Sequence, residues 1–128
     1  MEYLAVVVAA GAGFGVGAIW YALLSSQWMD AAGISKEAGD GNSGLLPFAV
    51  AFIAYLLVAG MMRHMFELSN IDNLAKGLVS GIGIGLFLIS PWIMMNNSFA
   101  GRSFKLSIID GGCATVGCAV TGAVLGFL

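Results

Sequence analysis

The sequence predicts an all-α polytopic membrane protein, with four transmembrane helices in a compact, glycine-rich bundle. Three observations predict it. Four continuously apolar runs, each close to bilayer-crossing length, are separated by short polar connections. Only 9% of the 128 residues are charged and 59% are hydrophobic, with a mean hydropathy of +0.94. Soluble domains carry roughly 25% charged residues, so the deficit is too large for a surface bathed in water. Glycine, at 19 residues, falls mostly inside the apolar runs. Small residues there let helix backbones approach closely in a medium that supplies no hydrophobic drive for association.

The chain reads as a single domain, residues 1–128. The first span, residues 3–24, holds no charge and has no positive segment before it, so it is expected to remain as a helix and not to be cleaved as a signal peptide. The second, residues 45–62, stops at Arg63-His64; the third, residues 78–95, lies between Lys76 and Asn96-Asn97. The fourth, residues 106–128, carries one acid, Asp110, near its start. Such runs make helices about 27–35 Å long, against a hydrocarbon core of about 30 Å. Each is continuously apolar and not alternating, which favours helices over barrel strands.

The connections agree. Residues 25–44 hold Asp30, Lys36, Glu37, Asp40 and a glycine-rich tail over residues 39–44, and residues 27–33 are expected to lie along the membrane surface as a short helix. Arg63 and Glu67, four apart, suit an ion pair in the second connection. The third, residues 96–105, is polar and basic. Basic residues divide three to two between the faces (Lys36, Arg102 and Lys105 against Arg63 and Lys76), which sets no orientation. An even number of spans puts both termini on one side. No block of Lys or Arg stands beside a helix end to recruit anionic headgroups, and a net charge of −2 offers no footprint for nucleic acid.

Within the spans, glycine spacing is the strongest pattern. Gly11/Gly15 and Gly13/Gly17 form two small-xxx-small pairs about 200° apart around the first helix, which suits a central position for it. Gly77, Gly81 and Gly85 form one stripe on the third. Gly111, Thr115, Cys118, Gly122 and Gly126 line one face of the fourth. A second stripe on that helix, Asp110, Cys113, Gly117 and Thr121, is polar, while Val116, Val120 and Phe127 are expected to face lipid. Glycines before Trp20-Tyr21 and again before Pro91-Trp92 suggest a 2+2 internal repeat. Asp110 invites a proton or ion role because ionisable residues in spans are functional candidates. Its place beside a helix N-terminus, where the dipole favours a carboxylate, makes a structural role the preferred one.

Other chemistries find little support. Cys113 and Cys118 lie about 140° apart on one helix and cannot pair. Met61, Met62, His64 and Met65 resemble a soft-metal cluster, but methionine at a helix end is ordinarily packing, and Met94-Met95 belong to the opposite face. With a single histidine, His64, no Ser/His/Asp set exists, and the glycine runs follow no strand that would make them nucleotide loops. No metal, cofactor or enzymatic activity is expected.

Gly17-Ala18-Ile19-Trp20-Tyr21, then Trp28-Met29 and Gly33-Ile34, and later Asn97, Phe99, Gly101-Arg102 and Lys105-Leu106, run through nearly the whole chain. This pattern resembles the bacterial family of short four-helix membrane proteins called domain of unknown function 1761. The resemblance implies a multi-pass protein of the bacterial inner membrane and brings no activity with it. In a four-span bundle Trp20, Tyr21, Trp28, Asn97, Phe99, Arg102, Lys105 and Asp110 gather at one end. That rim is either an interfacial anchor belt, the preferred reading, or a site for a partner, a headgroup or an anion with Arg102 as donor. The functional expectation is a non-enzymatic membrane protein acting through helix packing, as a homo-oligomer or as accessory subunit of a larger membrane assembly. The alternative is a small transporter or channel with the polar seam of the fourth helix lining a path between protomers.

Overall fold

Proline and glycine positions explain where the helices of the computed structural model begin and end; it describes residues 2–33 and 45–128. Helix α1 (Glu2–Leu23) breaks at Leu24 and is followed at once by the short α2 (Ser25–Ala32). Helix α3 (Leu46–Leu68) has Pro47 in its first turn, where a missing N–H is harmless. It ends where Asn70 takes a left-handed conformation (φ 57°) and the Ile71 N–H reaches back to the Phe66 carbonyl. Asn73 then caps α4 (Leu74–Phe99) by accepting the Lys76 N–H at 2.8 Å. At the far end of α4, Gly101 sits at φ 73°, a region that penalises any side chain, and the Arg102 N–H closes onto the Asn97 carbonyl. Ser103 caps α5 (Phe104–Phe127) through the Leu106 N–H. Lys36, Glu37, Asp40 and the glycine-rich tail of the first connection lie outside the described residues.

Among the described residues, α1, α3, α4 and α5 are the helices long and apolar enough to cross a membrane. The helices run longer than the apolar runs that announce them: α3 continues to Leu68 and α4 starts at Leu74 and reaches Phe99. A span is bounded in sequence by its first charge, whereas the hydrogen-bonded helix continues into the interface until a cap stops it. The short helix expected over residues 27–33 is α2, which starts two residues earlier, at Ser25, and ends at Ala32.

The centre of the bundle is α5, not α1. Half of the α5 apolar stretch (50%) is buried, against 28% for α1 and 11% each for α3 and α4. One face of α5 meets α4 through backbone. A Cβ on Gly81 would strike the Cys118 carbonyl, one on Gly77 the Gly122 carbonyl, and one on Gly126 the Asn73 carbonyl. The other face meets α1 and α3: Gly117 lies under the Tyr55 ring, and Gly13 of α1 faces the Thr121 hydroxyl and Tyr55. A Cβ on Gly11 or Gly15, in contrast, would meet nothing within 4 Å among the described residues. Sequence spacing makes the two glycine pairs of α1 equivalent, and among the described residues only Gly13 and Gly17 have a partner.

The apolar core sits at the end shared by the start of α1 and the end of α5. There Ala5, Ala9 and Ala10 pack with Ala59, Met62, Phe66 and Leu125. Alanine on α1 brings α3 close enough for Met62 (2% exposed) to be enclosed. Higher up, Phe14 and Phe52 meet edge to face at 5.7 Å, a favoured geometry for aromatic quadrupoles.

Candidate functional site

At the opposite end, three aromatic side chains converge on the first turns of α5. Trp20 and Tyr21 are neighbours on α1, about 100° apart around the axis, so they straddle α5. The Trp20 indole lies over Gly112, where a side chain would collide with its ring, and donates from Nε1 to the Ile109 carbonyl at 3.0 Å. Tyr21 donates from Oη to Asp110 Oδ1 at 2.6 Å. The break at Leu24 turns α2 back so that Trp28 donates from Nε1 to the same oxygen at 3.2 Å. The two rings meet edge to face at 6.2 Å. A short O–H···O contact to a carboxylate is among the stronger hydrogen bonds. Asp110 is therefore the pin that fastens α1 and α2 to α5.

A second polar set stands on the α4 side. Asn97, 4% exposed, donates from Nδ2 to Ser107 Oγ at 3.1 Å and accepts from Arg102 Nη1 at 3.4 Å. Ser103 donates to the Ala31 carbonyl at 2.8 Å, which ties the α4–α5 turn to the end of α2. The residues of the rim thus divide. Trp20, Tyr21, Trp28 and Asp110 form one cluster, and Asn97 and Arg102 form another. Phe99 (90% exposed) and Lys105 are exposed at the same end.

Sequence reasoning missed Tyr55 and Ser90. The Tyr55 hydroxyl borders Gly17 and Gly117, close to the Cys113 thiol, and joins a polar run from half-buried Asp110 to buried Cys113 and Thr121. This run is turned inward against α1 and α3. A path along it would pass inside one chain and not between protomers. A phenol in mid-span was the available signal, because a hydroxyl in hydrocarbon needs a partner. On the outer side of α5, Val116 and Phe127 are exposed and Val120 is half-buried.

Ser90 marks a local change of helix type. Pro91 has no N–H, and its ring excludes the carbonyl four residues back. The helix widens to a π-turn over Ile84–Ile89, with the Ser90 N–H bonded to the Gly85 carbonyl. The Ser90 hydroxyl lies 2.7 Å from that carbonyl and 2.9 Å from the Gly111 carbonyl on α5. Thr115 donates to Gly111 as well, at 2.8 Å. The Ser90 hydroxyl thereby joins the widened part of α4 to the α5 backbone, and both hydroxyls find carbonyl partners, as a hydrocarbon medium demands.

Between this widened part of α4 and α5 lies a lateral groove of about 380 Å³ walled by Trp20, Leu86, Ser90, Phe104, Ile108 and Val116. A hollow of about 330 Å³ at the other end is bordered by Arg63, Glu67, Asn70 and Asp72. Arg63 pairs with Glu67 at 3.3 Å and Lys76 with Asp72 at 3.6 Å. The Lys76–Asp72 pair is exposed and contributes little, whereas Arg63 is half-buried.

The family model "Protein of unknown function (DUF1761)" matches residues 4–126. The chain belongs to that family. No curated protein and no solved structure matches it. The family match takes in all four spans, both polar clusters and the groove, so these features belong to the region the family describes.

Proposed function

We propose that this family member is a non-enzymatic protein of the bacterial inner membrane that works through helix packing. The outer face of α1 docks on a transmembrane helix of a second copy or of a larger membrane assembly. One observation carries this reading. Gly13 and Gly17 are filled from within the chain, while Gly11 and Gly15 repeat the same spacing on a face with no neighbour among the described residues. Ala18 and Ala22 continue that exposed face towards the end of α1. A bare backbone groove facing lipid loses packing that another helix would restore, since association in membranes rests on close van der Waals fit.

The test is native purification in mild detergent followed by mass measurement of the intact complex. A defined oligomer or a stoichiometric membrane partner supports the reading, and a lone chain at all concentrations removes it. The second reading is a conduit. It is favoured by the polar run from Asp110 past Cys113 and Tyr55 to Thr121. Tyr55 fills that run at mid-span, so passage would require its ring to swing out. Solute flux in liposomes that disappears in Asp110→Asn would put the conduit first.

A further inference from the structure

The lateral groove and the Arg102 turn lie at the same end of α4 and α5, and they share a hydrogen-bonded connection. Ser107 borders the groove and accepts from Asn97; Asn97 in turn accepts from Arg102. A buried amide thus links the exposed Arg102 guanidinium, by a long contact, to Ser107 on the wall of the groove. We propose that this groove holds an acyl chain of an anionic glycerophospholipid whose phosphate is bound by Arg102.

Three observations carry the assignment. The groove lies within membrane-spanning helices, and its walls Leu86, Ile108 and Val116 are 46%, 59% and 38% exposed. The medium available to fill it is hydrocarbon. The π-turn and the small residues Gly111 and Gly112 border that space, and the Trp20 ring lies against Gly112. Among the described residues, the turn beside the groove carries two cations, Arg102 and Lys105. Of the acids at this end, Asp110 is engaged by Tyr21 and Trp28 on the α1 side and Asp30 stands on α2. A guanidinium fork matches phosphate oxygens in pairs. The sequence lacks the block of basic residues that recruits anionic lipid by field alone. One placed arginine beside a chain-sized groove recognises a single lipid molecule instead. The inference depends on the span assignment and is independent of what covers the Gly11/Gly15 face.

Native mass spectrometry of the full chain tests it, after equilibration in detergent with equal phosphatidylglycerol and phosphatidylcholine of identical acyl chains. The wild type is expected to retain phosphatidylglycerol in preference. Arg102→Gln should cut that preference roughly fivefold, the effect of one cation near a lipid surface. Arg102→Lys should keep part of it, and Lys76→Gln, on the other membrane face, should leave it unchanged. Val116→Trp, which fills the groove from an exposed wall, should lower retention of both lipids. Equal retention of the two lipids by the wild type overturns the proposal whether or not any variant folds. So does an equal loss in Arg102→Gln and Lys76→Gln, which would mean unspecific attraction, or full retention in Val116→Trp.

Discussion

Helices α1 and α5 carry glycine at similar density, four in Glu2–Leu23 and five in Phe104–Phe127, but use it differently. On α5 each glycine meets another element: Gly111 meets Ser90, Gly112 Trp20, Gly117 Tyr55, Gly122 Gly77 and Gly126 Asn73. On α1, among the described residues, only Gly13 and Gly17 do so. Glycine content therefore does not identify the central helix of a bundle. What distinguishes α5 is that its small faces meet complementary features on three different helices: a matching glycine stripe on α4, a tyrosine on α3 and a tryptophan on α1. The α1 helix has a match on one side only, and its other small face looks outward.

The sharpest way to break this comparison is to add bulk where backbone meets backbone. Gly81→Leu should lower unfolding stability in detergent by about 3 kcal/mol or more, since overpacking costs about 1–3 kcal/mol even where side chains can move. Its Cβ would meet the Cys118 carbonyl and the Ala119 backbone, which cannot turn aside. A Gly81→Leu variant as stable as the wild type would mean that α4 and α5 are farther apart than described.

The next effect belongs to Asp110. Asp110→Asn keeps the shape and an accepting oxygen for Tyr21 but removes charge assistance, so a loss of about 1 kcal/mol is expected without loss of assembly. Tyr21→Phe should cost a similar amount, and the double variant less than the sum, because the charge assistance lost in Asp110→Asn acts on the hydrogen bond that Tyr21→Phe deletes. Fully additive losses would show that Asp110 acts through something other than Tyr21. Thr121→Val should have a smaller effect, under about 1 kcal/mol, because its 3.5 Å contact with the Ala9 carbonyl is long.

The sequence shows the class of the molecule because bilayer thickness and the need to satisfy backbone groups leave few alternatives to apolar helices. The stripe Gly77, Gly81 and Gly85 and the face Gly111, Thr115, Cys118, Gly122 and Gly126 were both legible, and the structure packs them against each other. Spacing could not reveal which glycine pair of α1 turns inward, since both obey the same rule and the deciding partner, Tyr55, is far away in sequence. Nor could it divide the polar end into two clusters. That division depends on the break at Leu24 bringing Trp28 back to Asp110, and on the left-handed Gly101 bringing Arg102 over Asn97. The π-turn had a local signal, Ser90-Pro91 within an apolar run, but the groove it opens needs Trp20 and α5 as walls.

The smallest expected effect on the fold comes from the open face of α1, and it separates the two uses of glycine most cleanly. Gly11→Leu with Gly15→Leu adds two side chains where nothing lies within 4 Å. Within one chain the leucines extend into lipid and contact no other described helix, so unfolding stability should not fall by more than about 0.5 kcal/mol, the usual range for surface changes. Leucine is also the better helix former, by several tenths of a kcal/mol at each position, which raises stability. Association is a different matter, because bulk at both positions removes the backbone approach that a second helix would use. Energy transfer between donor- and acceptor-labelled chains in liposomes, or recovery of the native partner, should fall sharply while stability holds. A stability loss comparable to that of Gly81→Leu would place Gly11 and Gly15 inside the chain and reverse the assignment of the two faces. Unchanged association together with unchanged stability would leave that face to lipid alone, and the packing function would then need another surface.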